Sequence, residues 1–244
     1  TPHKILSMNL TIKFKQFLNN KKRFSGVICK KLFNKLYYLQ TPPPRHHIMD
    51  EKEFFDHLAP TWDDNEVLST PDKVRFVLGF MNLKPGQSVL DLGTGTGVLL
   101  PYIAEKIGTA GHITAVDYSA GMLSRAKEKF SGLTPTPEFL EMDLEQDNIP
   151  GEYDRIILYC VYPHLHEPVE TLRWLHKVSL KKGGLISIAF PSGPEFINNV
   201  HREKHSESDI LPSADELART FRLNGLDAKV AHSDTDSYIV NIYK

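Results

Sequence analysis

The stretch Asp91-Leu92-Gly93-Thr94-Gly95-Thr96-Gly97 sets a carboxylate just ahead of three alternating glycines. Glycines permit a tight turn with positive φ and let a ligand lie against bare backbone. A dinucleotide-binding turn would need its third glycine at position 98, which is Val98. No Lys-Ser or Lys-Thr pair follows, which excludes the phosphate loop of nucleotide hydrolases. A carboxylate at Asp91 would repel a pyrophosphate and suits an amine or ammonium instead. Asp117 comes twenty residues after Gly97, where an acid can hydrogen-bond ribose hydroxyls. Asp143, after the apolar Phe139-Leu140, can accept a hydrogen bond from an adenine amine. A nucleoside with a charged, non-phosphate tail satisfies all three acids.

Such residues act together only if strands end beside them. Short apolar runs at 88–92, 112–117, 153–160 and 185–190 read as strands, with helical patterns at 98–107, 119–130 and 168–179 between them. This alternation predicts right-handed crossovers and a parallel sheet, with Asp91 and Asp117 closing their strands. Upstream, 48–58 and 71–78 read as helices, the second with Thr70 as N-cap and Pro71 in its first turn. At the far end, 213–224 predicts a helix, and 226–232 and 236–243 two strands close enough for a hairpin. No repeat is evident.

Taken in order, these segments resemble the class I S-adenosylmethionine-dependent methyltransferases over roughly residues 54–244. Asp91–Gly97 matches the family's cofactor loop, and Val116-Asp117-Tyr118-Ser119-Ala120-Gly121-Met122-Leu123 its second motif. Asp143 matches the position beside adenine, and Leu180-Lys181-Lys182-Gly183-Gly184 the turn into the fifth strand. The resemblance implies an α/β, Rossmann-like fold: a doubly wound, seven-stranded, mostly parallel sheet ending in a C-terminal antiparallel hairpin. It implies S-adenosylmethionine as cofactor and S-adenosylhomocysteine as product. The implied cofactor residues are Asp91, Gly93, Thr94, Gly95 and Gly97, then Asp117, Tyr118 and Met122, then Asp143, Leu144 and Tyr159. Phe54–Asp63 is similar to the small-molecule branch that includes quinone-biosynthesis methyltransferases, where this segment helps cover the cofactor. Tyr159-Cys160-Val161-Tyr162-Pro163-His164 carries neither the Asn-Pro-Pro-Tyr signature of amide and exocyclic-nitrogen methyltransferases nor the Pro-Pro-Cys pattern of cysteine-dependent nucleobase enzymes.

In a doubly wound sheet the ligand crevice lies beyond the carboxyl ends of the strands. Tyr159–His166 and Phe190–Phe196, continuing to His201, His205 and Leu211, reach it from the fourth and fifth strands. Five of the eleven histidines fall between 164 and 205, and His57 lies in the expected cover. Methyl transfer from a sulfonium needs an aligned nucleophile, and a base where the acceptor starts protonated. His164 is the first candidate for that base, His201 the second, and Tyr162 a candidate orienter. His164-x-His166 with His201, His205 or Asp209 has the ligand types for a metal, but nothing in the spacing makes them converge, and no metal is expected. Cys160, ending a strand, is expected to be a small core residue. A small-molecule acceptor is the expected substrate; the alternatives are an RNA or protein methyltransferase, or a cofactor-binding protein without transfer activity.

The 244 residues are 41% apolar and 24% charged, which suits an ordinary globular chain, and two cysteines exclude a disulfide scaffold. No apolar run reaches membrane-spanning length, and a cytoplasmic location is expected. The formal charge of -1 hides a split: residues 1–47 hold ten of the 29 basic residues and none of the 30 acidic ones. Phe24, Val27, Ile28, Leu32, Leu36 and Leu39 step by three and four, predicting a basic amphipathic helix stopped by Pro42-Pro43-Pro44. The expected organisation is thus an N-terminal extension, 1–47, and a methyltransferase domain, 48–244. The extension suits packing on the acidic body or a homodimer contact; a membrane-surface contact is less favoured, and the acidic body argues against nucleic acid. Composition switches abruptly at Met49-Asp50-Glu51, where a chain could also begin.

Overall fold

The computed structural model describes residues 50–65, 69–203 and 210–244. The chain divides into two units, Thr1–Pro43 and Pro44–Lys244, and every described residue lies in the second. The expected basic helix, its proline stop, His205 and Asp209 fall outside the described residues.

Seven strands form one sheet in the order β3-β2-β1-β4-β5-β7-β6. They are β1 (Ser88–Leu92), β2 (His112–Asp117), β3 (Glu138–Glu141), β4 (Tyr153–Tyr159), β5 (Leu180–Phe190), β6 (Asp227–Ser233) and β7 (Tyr238–Tyr243). β7 runs antiparallel to both β5 and β6, and the other pairings are parallel. The central strands are nearly all buried because helices cover both faces, which is why they read as continuous apolar runs. One face packs Leu90, Ile156, Leu158, Ile188 and Val240 against Leu172, Leu217 and Phe221. The other packs Val89, Ile113, Ile157 and Ile239 against Val74, Val77, Leu100 and Ile103.

The helices are α1 (Glu51–Leu58), α2 (Trp62–Asn65), α3 (Pro71–Gly79), α4 (Leu100–Ile107), α5 (Ala120–Phe130), α6 (Pro168–Trp174), α7 (Pro194–Glu203) and α8 (Ala214–Leu223). Asp50 caps α1 by accepting from the Glu53 N–H at 2.7 Å. Ser213 and Glu216 close a reciprocal capping box on α8. Thr70 occupies the N-cap position of α3, but its hydroxyl makes no capping bond.

Several expectations need correction. The pattern of residues shows six strands, and β3 is the seventh. Its four residues, Glu-Phe-Leu-Glu, are too short and too exposed to carry a periodic signal, and pairing with Thr114–Asp117 makes them a strand. β5 begins at Leu180 instead of 185, with the expected turn at 181–184 held within the strand by Gly183 at φ 77°. The helix expected over 168–179 turns to π geometry at Leu175–Ser179. No apolar periodicity marks the start of α7; Gly193-Pro194 looks like a loop signal, yet Pro194 is the first residue of the helix, where its missing N–H costs nothing. Cys160 is exposed and not a core residue: β4 ends at Tyr159, and a left-handed φ of 61° at Cys160 turns the side chain out.

The chain leaves β1 toward β2 and β3 and later returns to place β4 on the other side of β1. This reversal opens a crevice at the carboxyl ends of β1 and β4.

Candidate functional site

The glycine loop sits at that reversal. Gly93 adopts φ 64°, and a Cβ there would stand 2.4 Å from Val161 Cγ2, just past β4. Only glycine lets the two strand ends approach so closely. Gly95 adopts φ 57° with open space where a Cβ would be. Its N–H donates to Asp117 Oδ2 at 2.7 Å, and the Ser119 N–H donates to Oδ1 at 2.9 Å. Thr94 is held by its N–H to Val116 O and by its hydroxyl, which donates to Asp91 Oδ2 at 2.7 Å.

Asp91 and Asp117 are both buried. Burial pushes the Asp91 carboxyl up to about 7; the Thr94 hydroxyl opposes this and the charge of Asp117 adds to it. Burial also raises Asp117, against the bonds from Ser119 and Gly95. Among the described residues, no Lys or Arg pairs with either acid. Two buried, uncompensated carboxylates beside bare glycine backbone form a cradle for a ligand that carries positive charge and hydroxyls. An S-adenosylmethionine, with its sulfonium, ammonium and ribose, fits that donor set.

Tyr118 is half-buried; burial and the nearby Glu51 carboxylate, which accepts a hydrogen bond from its phenol, raise its pKa well above the usual range. Met122 is buried in the first turn of α5, its N–H donating to Ser119 Oγ. The Asp143 carboxylate accepts from the Glu145 N–H at 2.9 Å, and the Met142 N–H donates to Asp117 O, so this turn abuts the second motif. Leu144 packs partly buried against the core, and the buried Tyr159 shares a hydrogen bond with Ser69 Oγ at 3.0 Å.

Over these residues lies α1. Asp56 Oδ1 accepts from Ser119 Oγ at 2.6 Å and from the Gly121 N–H at 2.8 Å, and the Ser119 bond holds its carboxyl below the usual range. Asp63 accepts from Thr96 Oγ1 at 2.6 Å and pairs with Lys129 at 2.8 Å; despite its burial, Lys129 and Thr96 hold it low. Phe55 sets its ring against Trp62, Tyr118 and His164 at 5.8, 6.2 and 5.6 Å. Asp56 and Asp63 were missed in the sequence: they lie on separate helices, α1 and α2, and only the packing of both over the motif loops brings them to Ser119 and Thr96. Removing this latch has a predictable effect: Asp56→Ala weakens S-adenosylhomocysteine binding about tenfold, the scale of one charge-assisted bond of about 1.5 kcal/mol. Titration calorimetry checks it, with equal affinity in the variant counting against a latch.

The histidines sort themselves. His164 ends a short 3-10 turn (Tyr162–His164) after β4, His201 lies on α7 after β5, and their rings stand 5.6 Å apart. His166 instead bonds Glu145 at 3.0 Å, which raises its pKa, and His176 bonds Tyr243 O at 3.0 Å. His57 is exposed. Tyr162 is drawn into the core against Phe221, its phenol pushed up to about 12 by burial, so its side chain packs the fold and not the histidine pair. Among the described residues no three His, Cys, Asp or Glu side chains gather as a cation site, and no helix is long and apolar enough to cross a membrane.

Residues 89–184 match the family model described as a methyltransferase domain. The chain is 26% identical over 176 residues to a 2-phytyl-1,4-naphtoquinone methyltransferase of Nostoc sp., covering 68% of this chain and 76% of that protein. It is 31% identical over 126 residues to a ubiquinone/menaquinone biosynthesis C-methyltransferase of Vibrio vulnificus, covering half of this chain and 48% of the relative. Among solved structures, a SAM dependent methyltransferase from Aquifex aeolicus superposes with a TM-score of 0.62 at 26% identity, over 77% of this chain and 97% of the other. With the sheet order, the glycine loop and the buried acid pair in agreement, residues 89–184 form a methyltransferase domain, the chain has the fold of the S-adenosylmethionine-dependent methyltransferases, and S-adenosylmethionine is its cofactor.

Proposed function

We propose that this methyltransferase acts on a small aromatic acceptor of the hydroquinone type, with His164 as the base and His201 beside it. The observation that carries this reading is the apposition of the two imidazoles, 5.6 Å apart, contributed by the segments that follow β4 and β5. Phe55 stands edge-on to His164 and gives that side of the crevice an aromatic wall. The names of the two relatives, a 2-phytyl-1,4-naphtoquinone methyltransferase and a ubiquinone/menaquinone biosynthesis C-methyltransferase, point to the same class. S-adenosylmethionine supplies an electrophilic methyl group. His164 takes the proton of a ring hydroxyl, and the electron pair left on oxygen makes the ring carbon beside it nucleophilic toward that methyl group. The hydrogen displaced from that carbon leaves as a proton to restore the aromatic ring, with S-adenosylhomocysteine as the other product. Phe55 and the docked α1 keep water from competing for the base.

The test is methyl-labelled S-adenosylmethionine supplied to the full chain with 2-alkyl-1,4-naphthohydroquinone under reducing conditions, and in parallel with bulk tRNA and mixed peptides. Label is expected in the naphthohydroquinone, falling at least tenfold in His164→Gln, within the range that general base catalysis supplies. Label in tRNA or peptides alone would overturn the acceptor class. Full turnover by His164→Gln would remove the base assignment and leave the acceptor class standing.

A further inference from the structure

The covering helix delivers to the crevice a carboxylate that neither the motifs nor the spacing singled out. Glu51, the first residue of α1, sets its Oε1 2.5 Å from His164 Nδ1, an ion-pair contact outside hydrogen-bond alignment, with both side chains largely withdrawn from solvent at 33% and 26% exposed. The Tyr118 phenol donates to the same carboxylate, and Tyr118 follows directly on Asp117. One turn along α1, Phe55 packs edge-on to the His164 ring, and His201 stands on another side of it.

We propose that Glu51 is the positioning residue of a Glu51–His164 dyad that forms only when α1 is docked over the cofactor site. The proposal rests on the reading of His164 as the base. An imidazole can carry its proton on either nitrogen, and only the unprotonated one can accept another. A carboxylate at Nδ1 selects the tautomer with the proton there, leaves Nε2 as the basic nitrogen, and stabilises the imidazolium once Nε2 is protonated. Tyr118 fixes the carboxylate, and Asp56, on the same helix, ties α1 to Ser119 and Gly121. α1 thus carries both Glu51, which meets the base, and Asp56, which binds Ser119, whose N–H holds Asp117. Occupying the cofactor site and arming His164 become a single event. An ordinary partly exposed ion pair would hold the cover only weakly, and its loss would leave the tautomer where it was.

The test uses the full chain labelled with 15N-histidine and saturated with S-adenosylhomocysteine, with the His164 signals assigned by comparison with His164→Gln. The wild type is expected to show the Nδ1–H tautomer. Glu51→Ala is expected to shift the population toward Nε2–H and to lower kcat for 2-alkyl-1,4-naphthohydroquinone about tenfold, with KM within about twofold. Emission from Trp62, which packs on Phe55, reports whether the cover stays docked. Should Glu51→Ala undock it, Glu51→Gln, matched in size and still an acceptor, is expected to keep the cover docked, retain the Nδ1–H tautomer and recover only part of the rate. An unchanged tautomer in Glu51→Ala overturns the dyad, even if His164→Gln is inactive. So does a rate loss explained entirely by weaker S-adenosylhomocysteine binding with shifted Trp62 emission. Full activity in His164→Gln would fail the base reading alone, because the tautomer measurement does not depend on turnover.

Discussion

Asp117→Ala is expected to weaken S-adenosylmethionine and S-adenosylhomocysteine binding about 100-fold. The carboxylate already accepts from the Gly95 and Ser119 N–H groups, one on each oxygen, and each oxygen keeps a second lone pair. Charge-assisted hydrogen bonds contribute about 1.5–3 kcal/mol each. Losing those to the ribose therefore costs about two factors of ten, each worth about 1.4 kcal/mol. Removing the acid also leaves the Gly95 N–H without its acceptor and loosens the loop that the cofactor lies on. Asp117→Asn keeps one acceptor oxygen and is expected to fall between the two. Calorimetric titration of both ligands, with thermal unfolding to show that the variants fold, settles it. Affinities within threefold of wild type would mean that Asp117 does not hold the ribose.

The second large effect is in pH. Burial raises Asp91 to about 7, against an ordinary value near 3.8, so the ligand-free folded protein carries a proton on this group between about pH 4 and 7 that the unfolded chain has lost. Stability contributed by Asp91 therefore falls as pH rises through that window, and the deficit is complete above pH 7. A cationic ligand reverses the preference, because it pairs with the carboxylate. Affinity for S-adenosylmethionine is expected to rise about tenfold per pH unit up to pH 7, or about 100-fold from pH 5. It should then decline above about pH 8, where an α-amino group loses its own proton. Asp91→Asn should flatten the acid limb and make the ligand-free protein more stable above pH 7. An acid limb that persists in Asp91→Asn would show that another group titrates.

Much of the site could be read before any tertiary structure. The three glycines, Asp91 and Asp117 carry their chemistry in local spacing, because a strand followed by a tight turn and a helix is encoded within a few neighbouring residues. The Cys160 expectation failed for a related reason: apolar neighbours mark a buried strand but do not tell at which residue the backbone turns left-handed. β3 was illegible because four residues form a strand only by virtue of the strand beside them. The histidine group had no visible partition in the chain. His166 was drawn off by Glu145, and Tyr162 by the core around Phe221, both through contacts set by packing.

The sequence by itself determined the alternation of strands and helices, the glycine loop and the acids that close β1 and β2. Local propensity and apolar periodicity act over one element at a time, and those features need no more. Tertiary structure alone decided that Asp56 latches onto Ser119, that His164 meets His201, and that Glu51 reaches His164. Each of these joins residues far apart in the chain. Their meeting follows from how the helices pack over the carboxyl edge of the sheet, and burial and side-chain geometry there depend on every element at once.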